Sequence, residues 1–589
     1  MKKPLDVALA VMVGAASAIP LAAVVGAEFL NWDDDAVFTG NPDLIGAGLV
    51  RWAFTTNLMG HYQPLSWLTW GAVARFAGLQ PAPFHALSLA THAVVVALVY
   101  LTGVRIISLG GVPRDRARIG AVVAAMLFGV HPLRVEPVAW ASAFPYLAAL
   151  AFALMATLAY LASRTPAAAG ATARSIPVSF AAVGLFAASL LFRPIAFGLP
   201  LVFLALDRFP LPEGRRPEAR SRPAQLVMHK IPYFVLAVAA AALEWTARRD
   251  SFEALAFGPR ATLALTAPFV YLWRTIAPIG LSPVDVRPLE AATSWMAIAA
   301  ALSGFLVVSF VAWRARRRWP GLLLAWTTYL LLVAPAVALG PTGLQATADR
   351  YAYLPSVALA IAIGSLCAIP ASAPMRRAAF AAASIAVCVA GVLAWRQTLY
   401  WHDSIALWSR ATALDPQNDV ALYNLGTALQ SAGRVDEAAT AYETTLRLVP
   451  DHALAQRNLR GLRAIVRQRQ ADALAQSGNL AAAIPLYREA LSLDPARSRA
   501  RASLGVALVR TDDFAGGAAE IETAMRQGID DPNLVNAQSY ALVQLGRSAE
   551  AAKLLQAALT RYPGDTNLAR NLALLNEDAR ASAKAKAGR

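Results

Sequence analysis

Apolar residues dominate the first 400 positions in runs of about 20, the length a helix needs to cross a bilayer core, and the long runs stop at Trp401. The first run, 7–27, follows Lys2 and Lys3. It is too long for the apolar region of a signal peptide, and the EFLNWDDD that follows lacks a small-residue cleavage site. It therefore reads as an uncleaved span with its N-terminus in the cytoplasm. Further runs lie near 84–106, 117–133, 137–163, 177–193, 195–209, 229–247, 295–313, 320–340, 352–372 and 376–395, which makes about 11 spans.

Basic residues orient these runs. Arg105, Arg114, Arg116 and Arg118, then Arg164 and Arg174, then Arg208, Arg215, Arg216, Arg220 and Arg222 fall in connections that alternation places in the cytoplasm. Counting 253–281 as a span would put Arg314, Arg316, Arg317 and Arg318 outside, so that stretch reads as re-entrant or as a helix in the interface. Arg376 and Arg377 then fall inside, and the C-terminal region lies across the membrane from the N-terminus. The expected domains are a membrane region at 1–400 with an external acidic loop at 28–83, a second region at 401–580, and a basic flexible tail at 581–589.

Beyond Trp401 the pattern changes to a period of about 34 residues anchored on prolines. Twelve and eight residues before Pro416 stand Ser404 and Trp408; before Pro450, Ala438 and Tyr442; before Pro495, Ala483 and Tyr487; before Pro563, Ala551 and Leu555. A small residue lets paired helices approach, a large one fills the gap, and proline stops the second helix. This is a tetratricopeptide pattern. Leu425-Gly426 and Leu504-Gly505 take the matching first-helix positions, 453–476 reads as a long first helix, and 566–579 reads as a cap. The fold class is all-α, a polytopic helical domain followed by a repeat solenoid.

Composition supports this division. The chain is 57% apolar and 15% charged, with a mean hydropathy of +0.46, which excludes an ordinary soluble enzyme. Residues 1–400 hold 31 Lys and Arg against 17 Asp and Glu, and 401–589 hold 22 against 20, so the basic excess lies in the short connections of the membrane region. That distribution argues for orientation signals and against nucleic acid as a partner. Cys367 and Cys388 sit inside apolar runs, which excludes a disulfide scaffold and a Cys-based zinc site.

The densest chemistry is FLNWDDDAVFTGNP at 29–42. Asp33, Asp34 and Asp35 at a water–lipid boundary repel one another and are partly desolvated, which raises at least one pKa and readies it for proton transfer or metal binding. An acidic helix cap in a solvated loop accounts for the same residues. His85 and His92, seven apart, share a helix face, and with His61 and His131 they read first as hydrogen-bonded structural groups. A divalent metal on Asp33, Asp34 and one His is compatible with the residues, though the spacing does not demand it. His131 and Glu136 in HPLRVEP predict a short external turn near the acidic loop, and Asp349 and Arg350 in TADRYAYLP an internal ion pair near the same surface.

Seven segments occur in one order: FLNWDDDAVFTGNP, HYQPLSWLTW, PFHALSLATH, HPLRVEPVAW, LPLVFLALDRFPL, TADRYAYLP and WHDSIALWSRATALDPQN. In this the chain resembles, over essentially its whole length, the transmembrane and tetratricopeptide-repeat O-mannosyltransferases of the GT-C glycosyltransferase fold. The resemblance implies that Asp33 and Asp34, with Asp35 as a third, lie at an active site where one carboxylate serves as base toward an acceptor hydroxyl. It implies a basic residue where Arg193 stands, toward a lipid phosphate, with interfacial snorkelling as the alternative; Arg350 is a second candidate for that phosphate. His61, His131, Glu136 and Asp349 are expected as supporting residues.

The chain departs from that family at 142–147, SAFPYL, where an Arg or Arg-Lys followed by Asp is usual, and at Ser88, where Asn is usual. The implied reaction moves a sugar from a polyprenyl-phosphate carrier to a protein hydroxyl outside the cytoplasm of a bacterial inner membrane, the repeats binding the acceptor. A non-catalytic membrane scaffold recruiting envelope proteins is the alternative of another class. An O-antigen-ligase-like glycan transferase is a third.

Overall fold

The computed structural model describes residues 3–163, 172–208, 227–247, 257–284, 294–339, 347–369 and 372–587. The chain is all-α and divides into two compact units, Met1–Asn424 and Leu425–Arg589. The first unit runs past the expected boundary at 401 and takes in the helix Ser404–Leu414.

Among the described residues five helices are long and apolar enough to cross a membrane: Pro4–Gly26, Pro81–Leu109, Ala141–Ser163, Trp295–Ala315 and Ala373–Trp401. A sixth candidate is broken, Arg114–Gly129 continuing as Pro132–Ala139 after a bend of 62°. The break has a local cause. Pro132 supplies no N–H to the helix ladder, and the His131 side chain accepts from the Leu133 N–H instead. Other expected spans hold the helices Thr172–Phe192, Ile231–Ala247, Pro320–Leu339 and Ser356–Ala368. The expected span at 195–209 holds the helix Leu199–Arg208, and the stretch read as re-entrant or interfacial holds the helix Phe257–Ile276, with Pro268 inside it. Apolar side chains that one unit cannot bury remain on the outside, as on Trp295–Ala315, where Trp295, Leu306, Val307 and Phe310 are exposed.

Packing within the first unit depends on close backbone approach and on buried charge. A Cβ at Gly364 would lie 2.2 Å from the Gly120 carbonyl oxygen, so these two glycines let the helices Arg114–Gly129 and Ser356–Ala368 touch backbone to backbone. Arg134 is buried and donates to the Phe128 carbonyl at 3.1 Å and the Ser356 hydroxyl at 2.6 Å, while its guanidinium lies 4.4 Å from the Phe128 ring centre. It thereby fixes the segment after the bend against the start of Ser356–Ala368. At the other end of the first helix, Asp6 accepts from Arg118 at 2.6 Å.

The acidic loop is held by its apolar flanks. Phe29 stacks on Phe38 at 4.8 Å, and Phe38 packs edge-on against Trp70 at 5.4 Å, in a core that includes Val37, Leu44, Trp67 and Phe84. The sequence places aromatic residues on both sides of three aspartates; burial of the aromatics fixes where the aspartates emerge.

In the second unit helix pairs follow the expected offsets. Ala438 and Tyr442, Ala483 and Tyr487, and Ala551 and Leu555 are all buried. A Cβ at Gly426 would lie 2.6 Å from the Tyr442 ring, which is why the first-helix position takes glycine. Gly517 and Ile521 form the same small–large pair in a repeat that lacks the proline anchor, with Gly505 facing Ile521. The long first helix is Ala453–Gln476. The last helix, Thr566–Ala587, continues through most of the segment expected as a flexible tail.

Candidate functional site

The three aspartates have separate environments. Asp34 is fully buried. One of its oxygens accepts from the Leu30 N–H at 2.9 Å, and the other from the Ser142 N–H at 3.0 Å and the Ser142 hydroxyl at 2.5 Å. Burial pushes its pKa up to about 6, against the pull of those donors toward the charged form. Its oxygens are spent on tying the loop to the segment at 142. Asp35 is exposed and accepts from the Ala36 N–H next to it.

Asp33 has a third environment. Among the described residues no hydrogen bond to its side chain occurs, and burial pushes its pKa up to about 7. The charge of Arg350 lowers it, those of Asp34 and Asp35 raise it, and that of Arg193 lowers it. Two arginines remote in sequence are therefore close enough to act on Asp33. A carboxylate with a pKa near 7 takes up and releases protons readily at neutral pH.

Arg193 follows the helix Thr172–Phe192 and is held on three sides. It donates to Gln63 Oε1 at 2.9 Å and to the Tyr146 hydroxyl at 3.1 Å, and lies 4.6 Å from the Tyr146 ring centre. Its Nη2 is 2.8 Å from His61 Nε2. Guanidinium has no acceptor, so His61 Nε2 must accept, and His61 Nδ1 carries the proton donated to Glu244 Oε1 at 2.9 Å. A chain Glu244–His61–Arg193 thus fixes the histidine tautomer. Such packing goes beyond interfacial snorkelling, because the charged end of Arg193 is itself buried.

Arg350 pairs with Glu136 and stacks between Trp140 and Tyr351, each ring centre 5.0 Å away. Glu136 also accepts the Asp349 N–H at 2.8 Å, and Asp349 pairs with Arg274 at 2.7 Å. Each charge of the expected Asp349–Arg350 pair is therefore matched from another element. His131 does not join the cluster through its ring: Nδ1 caps its own turn and Nε2 reaches the Thr275 carbonyl at 3.0 Å. His85 and His92 are structural as well. His92 sits between the Tyr353 hydroxyl at 2.8 Å and the Gly129 carbonyl at 3.0 Å, and His85 faces the Glu28 carbonyl at 3.4 Å. Ser88 is buried between them on the same helix. Among the described residues no group of three or more His, Cys, Asp and Glu side chains is placed to hold a metal ion.

Asp33, Asp34, Arg193, Arg350, His61 and Glu136 thus converge, while His131 and Asp35 take local roles. Gln63, Ser142, Tyr146, Glu244 and Arg274 were not expected. Two of these, Ser142 and Tyr146, lie in the SAFPYL segment that departs from the resemblance, and they bond Asp34 and Arg193. A buried Glu in the apolar helix Ile231–Ala247 was a readable signal for Glu244, since an ionisable residue in such a helix needs a partner.

Comparison with known proteins confirms the repeats. Tetratricopeptide repeat families match residues 474–539 and 388–453. These repeats imply protein partners. Among solved structures, YrrB, described as a tetratricopeptide repeat protein with an unusual peptide-binding site, is 16% identical over 28% of this chain and 80% of its own, with a TM-score of 0.19. MamA from Desulfovibrio magneticus RS-1 is 18% identical over 28% of this chain and 86% of its own, with a TM-score of 0.18. The repeat domain of P58(IPK) is 13% identical over 69% of this chain and 96% of its own, with a TM-score of 0.22. No curated protein matches this chain.

Proposed function

We propose that the chain is an integral-membrane glycosyltransferase that moves a sugar from a polyprenyl-phosphate carrier to a Ser or Thr hydroxyl of a protein. Its N-terminus is cytoplasmic, and its acidic loop and repeats face the other side. The observation that carries this reading is Asp33, a carboxylate poised near pH 7 and flanked by the charges of Arg193 and Arg350. Transfer needs both kinds of group. As the acceptor oxygen attacks the anomeric carbon, Asp33 takes its proton, and the sugar–phosphate C–O bond breaks with its electron pair leaving on the phosphate. An arginine beside the departing phosphate stabilises that charge. Arg193, whose fork is held by Gln63, His61 and Tyr146, is assigned this role; Arg350 is the second cation, steadied by Glu136 and two aromatic rings. The repeats grip the acceptor protein.

The repeats equally favour a membrane scaffold that recruits envelope proteins without chemistry. Mass-spectrometric comparison of glycans on extracytoplasmic proteins, in cells with and without this chain and with the Asp33→Asn variant, separates the two. Loss of glycosylation in both the deletion and the variant, at equal protein abundance, supports the transferase. Full glycosylation with Asp33→Asn supports the scaffold.

A further inference from the structure

The segment just before Asp33 is bonded to four separate points near the start of the repeats, all within the first compact unit. The Glu28 N–H donates to the His402 carbonyl at 2.9 Å, and the Asn31 N–H to the Ser404 hydroxyl at 3.0 Å. Asn31 uses both ends of its amide: Nδ2 donates to the Asn424 carbonyl at 3.1 Å, and Oδ1 accepts from the Trp408 indole N–H at 2.6 Å. Trp408 is fully buried, and its ring centre is 4.9 Å from that of Trp32, the residue adjoining Asp33. The Ser404–Leu414 helix is itself capped by the Asp403 side chain. Trp408 therefore fills the large position of the first repeat and also holds the acidic loop.

We propose that Asn31 and Trp408 are positioning residues for Asp33, with the helix Ser404–Leu414 acting as a brace that fixes the acidic loop. This rests on the reading of Asp33 as the base. Asn31 has its two polar ends engaged by different elements, so loss of either partner leaves a polar group to find another or to move toward water. Movement of residues 30–33 hydrates Asp33 and shifts it relative to its partners. The charged groups that face Asp33 are Arg350 from the turn Asp349–Ala352, Arg193 from the end of Thr172–Phe192, and Asp34 and Asp35 from the loop itself. None of these four belongs to the brace, which acts on Asp33 through position and burial.

The test uses the full-length chain in lipid nanodiscs, with Trp408→Phe removing the indole N–H and Asn31→Ala removing both amide bonds. Amide hydrogen exchange across residues 28–34 should accelerate by about tenfold or more in either variant. With polyprenyl-phosphate mannose and a serine-containing peptide, kcat should fall about tenfold or more while the donor KM stays within about twofold. The pH midpoint of the rate, expected in the wild type to follow the Asp33 pKa of about 7, should fall by about one unit or more as Asp33 gains water. A lowered folded fraction alone would reduce the rate without moving the midpoint. Unchanged exchange across 28–34 in both variants overturns the brace, as does an unmoved midpoint. Wild-type transfer by Asp33→Asn would instead overturn the reading beneath it, and the exchange measurement still decides whether the brace exists.

Discussion

Arg193 Nη2 lies 2.8 Å from His61 Nε2, and because an arginine cannot accept, this contact fixes which histidine nitrogen carries the proton. The arrangement needs the planar fork of arginine: Gln63 takes one arm, and His61 and Tyr146 take the other. Lysine keeps the charge but loses the fork. Arg193→Lys is therefore expected to raise the donor KM about tenfold or more, with a smaller change in kcat. Steady-state kinetics against donor concentration measures both.

Asp34 and Asp33 should respond differently to the same substitution. Asp34→Asn places an amide NH2 where Leu30 N–H or Ser142 now donates, so two donors face each other in a buried site. The expected cost is about 1–3 kcal/mol, seen as a lower thermal midpoint and faster proteolysis of the loop. Ser142→Ala removes the hydroxyl donor and keeps the N–H, for about 1 kcal/mol. A thermal series over Asp34→Asn, Ser142→Ala and Asp33→Asn orders them, with the first the least stable.

The pH dependence of stability follows from the pKa of Asp33. Its folded value, about 7, is above the ordinary 3.8, so the fold favours the protonated form. That contribution is full below the ordinary pKa and is lost as pH rises through about 7, above which the fold bears a partly buried charge. Asp33→Asn removes the charge without removing a hydrogen bond to the carboxylate. The variant should match the wild type near pH 4 and melt at a higher temperature at pH 8. Catalysis runs the other way: a base must be deprotonated, so the wild-type rate should rise through about pH 7.

Gly120 and Gly364 leave no room for a side chain, since a Cβ on either would meet the other helix at 2.7 and 2.2 Å. Gly364→Val should destabilise the first unit by about 1–3 kcal/mol or displace the helix Ser356–Ala368. A thermal shift of the full-length chain in detergent reads this directly.

How much of this was legible in the sequence depends on the range of the interaction. The repeats were, because Ala438–Tyr442 and Ala551–Leu555 are local pairs whose burial follows from helix geometry, and the failure at Gly517–Ile521 came only from a missing proline. That the crowded aspartates of the acidic loop include carboxylates with raised pKa was legible. The division of labour inside it was not, because Asp34 is distinguished from Asp33 by Ser142, 108 positions away. Likewise, the partner of His61 is Glu244, 183 positions away. Apolar composition did not settle helix length: Ser356–Ala368 is apolar, but its 13 residues fall short of the roughly 20 that cross a bilayer core as a single helix.

The central claim is that Asp33 is a general base, and its most direct test is single-turnover transfer by Asp33→Asn. The purified full-length chain is given polyprenyl-phosphate mannose and a serine-containing peptide, beside the wild type and Asp35→Asn. Asparagine keeps the shape of the side chain and cannot take the proton, so the transfer rate should fall about a hundredfold or more, the usual contribution of a positioned base. Asp35→Asn, which alters an exposed residue, should stay within a few fold of the wild type. Transfer by Asp33→Asn at the wild-type rate would contradict the claim and leave the scaffold as the account of this chain.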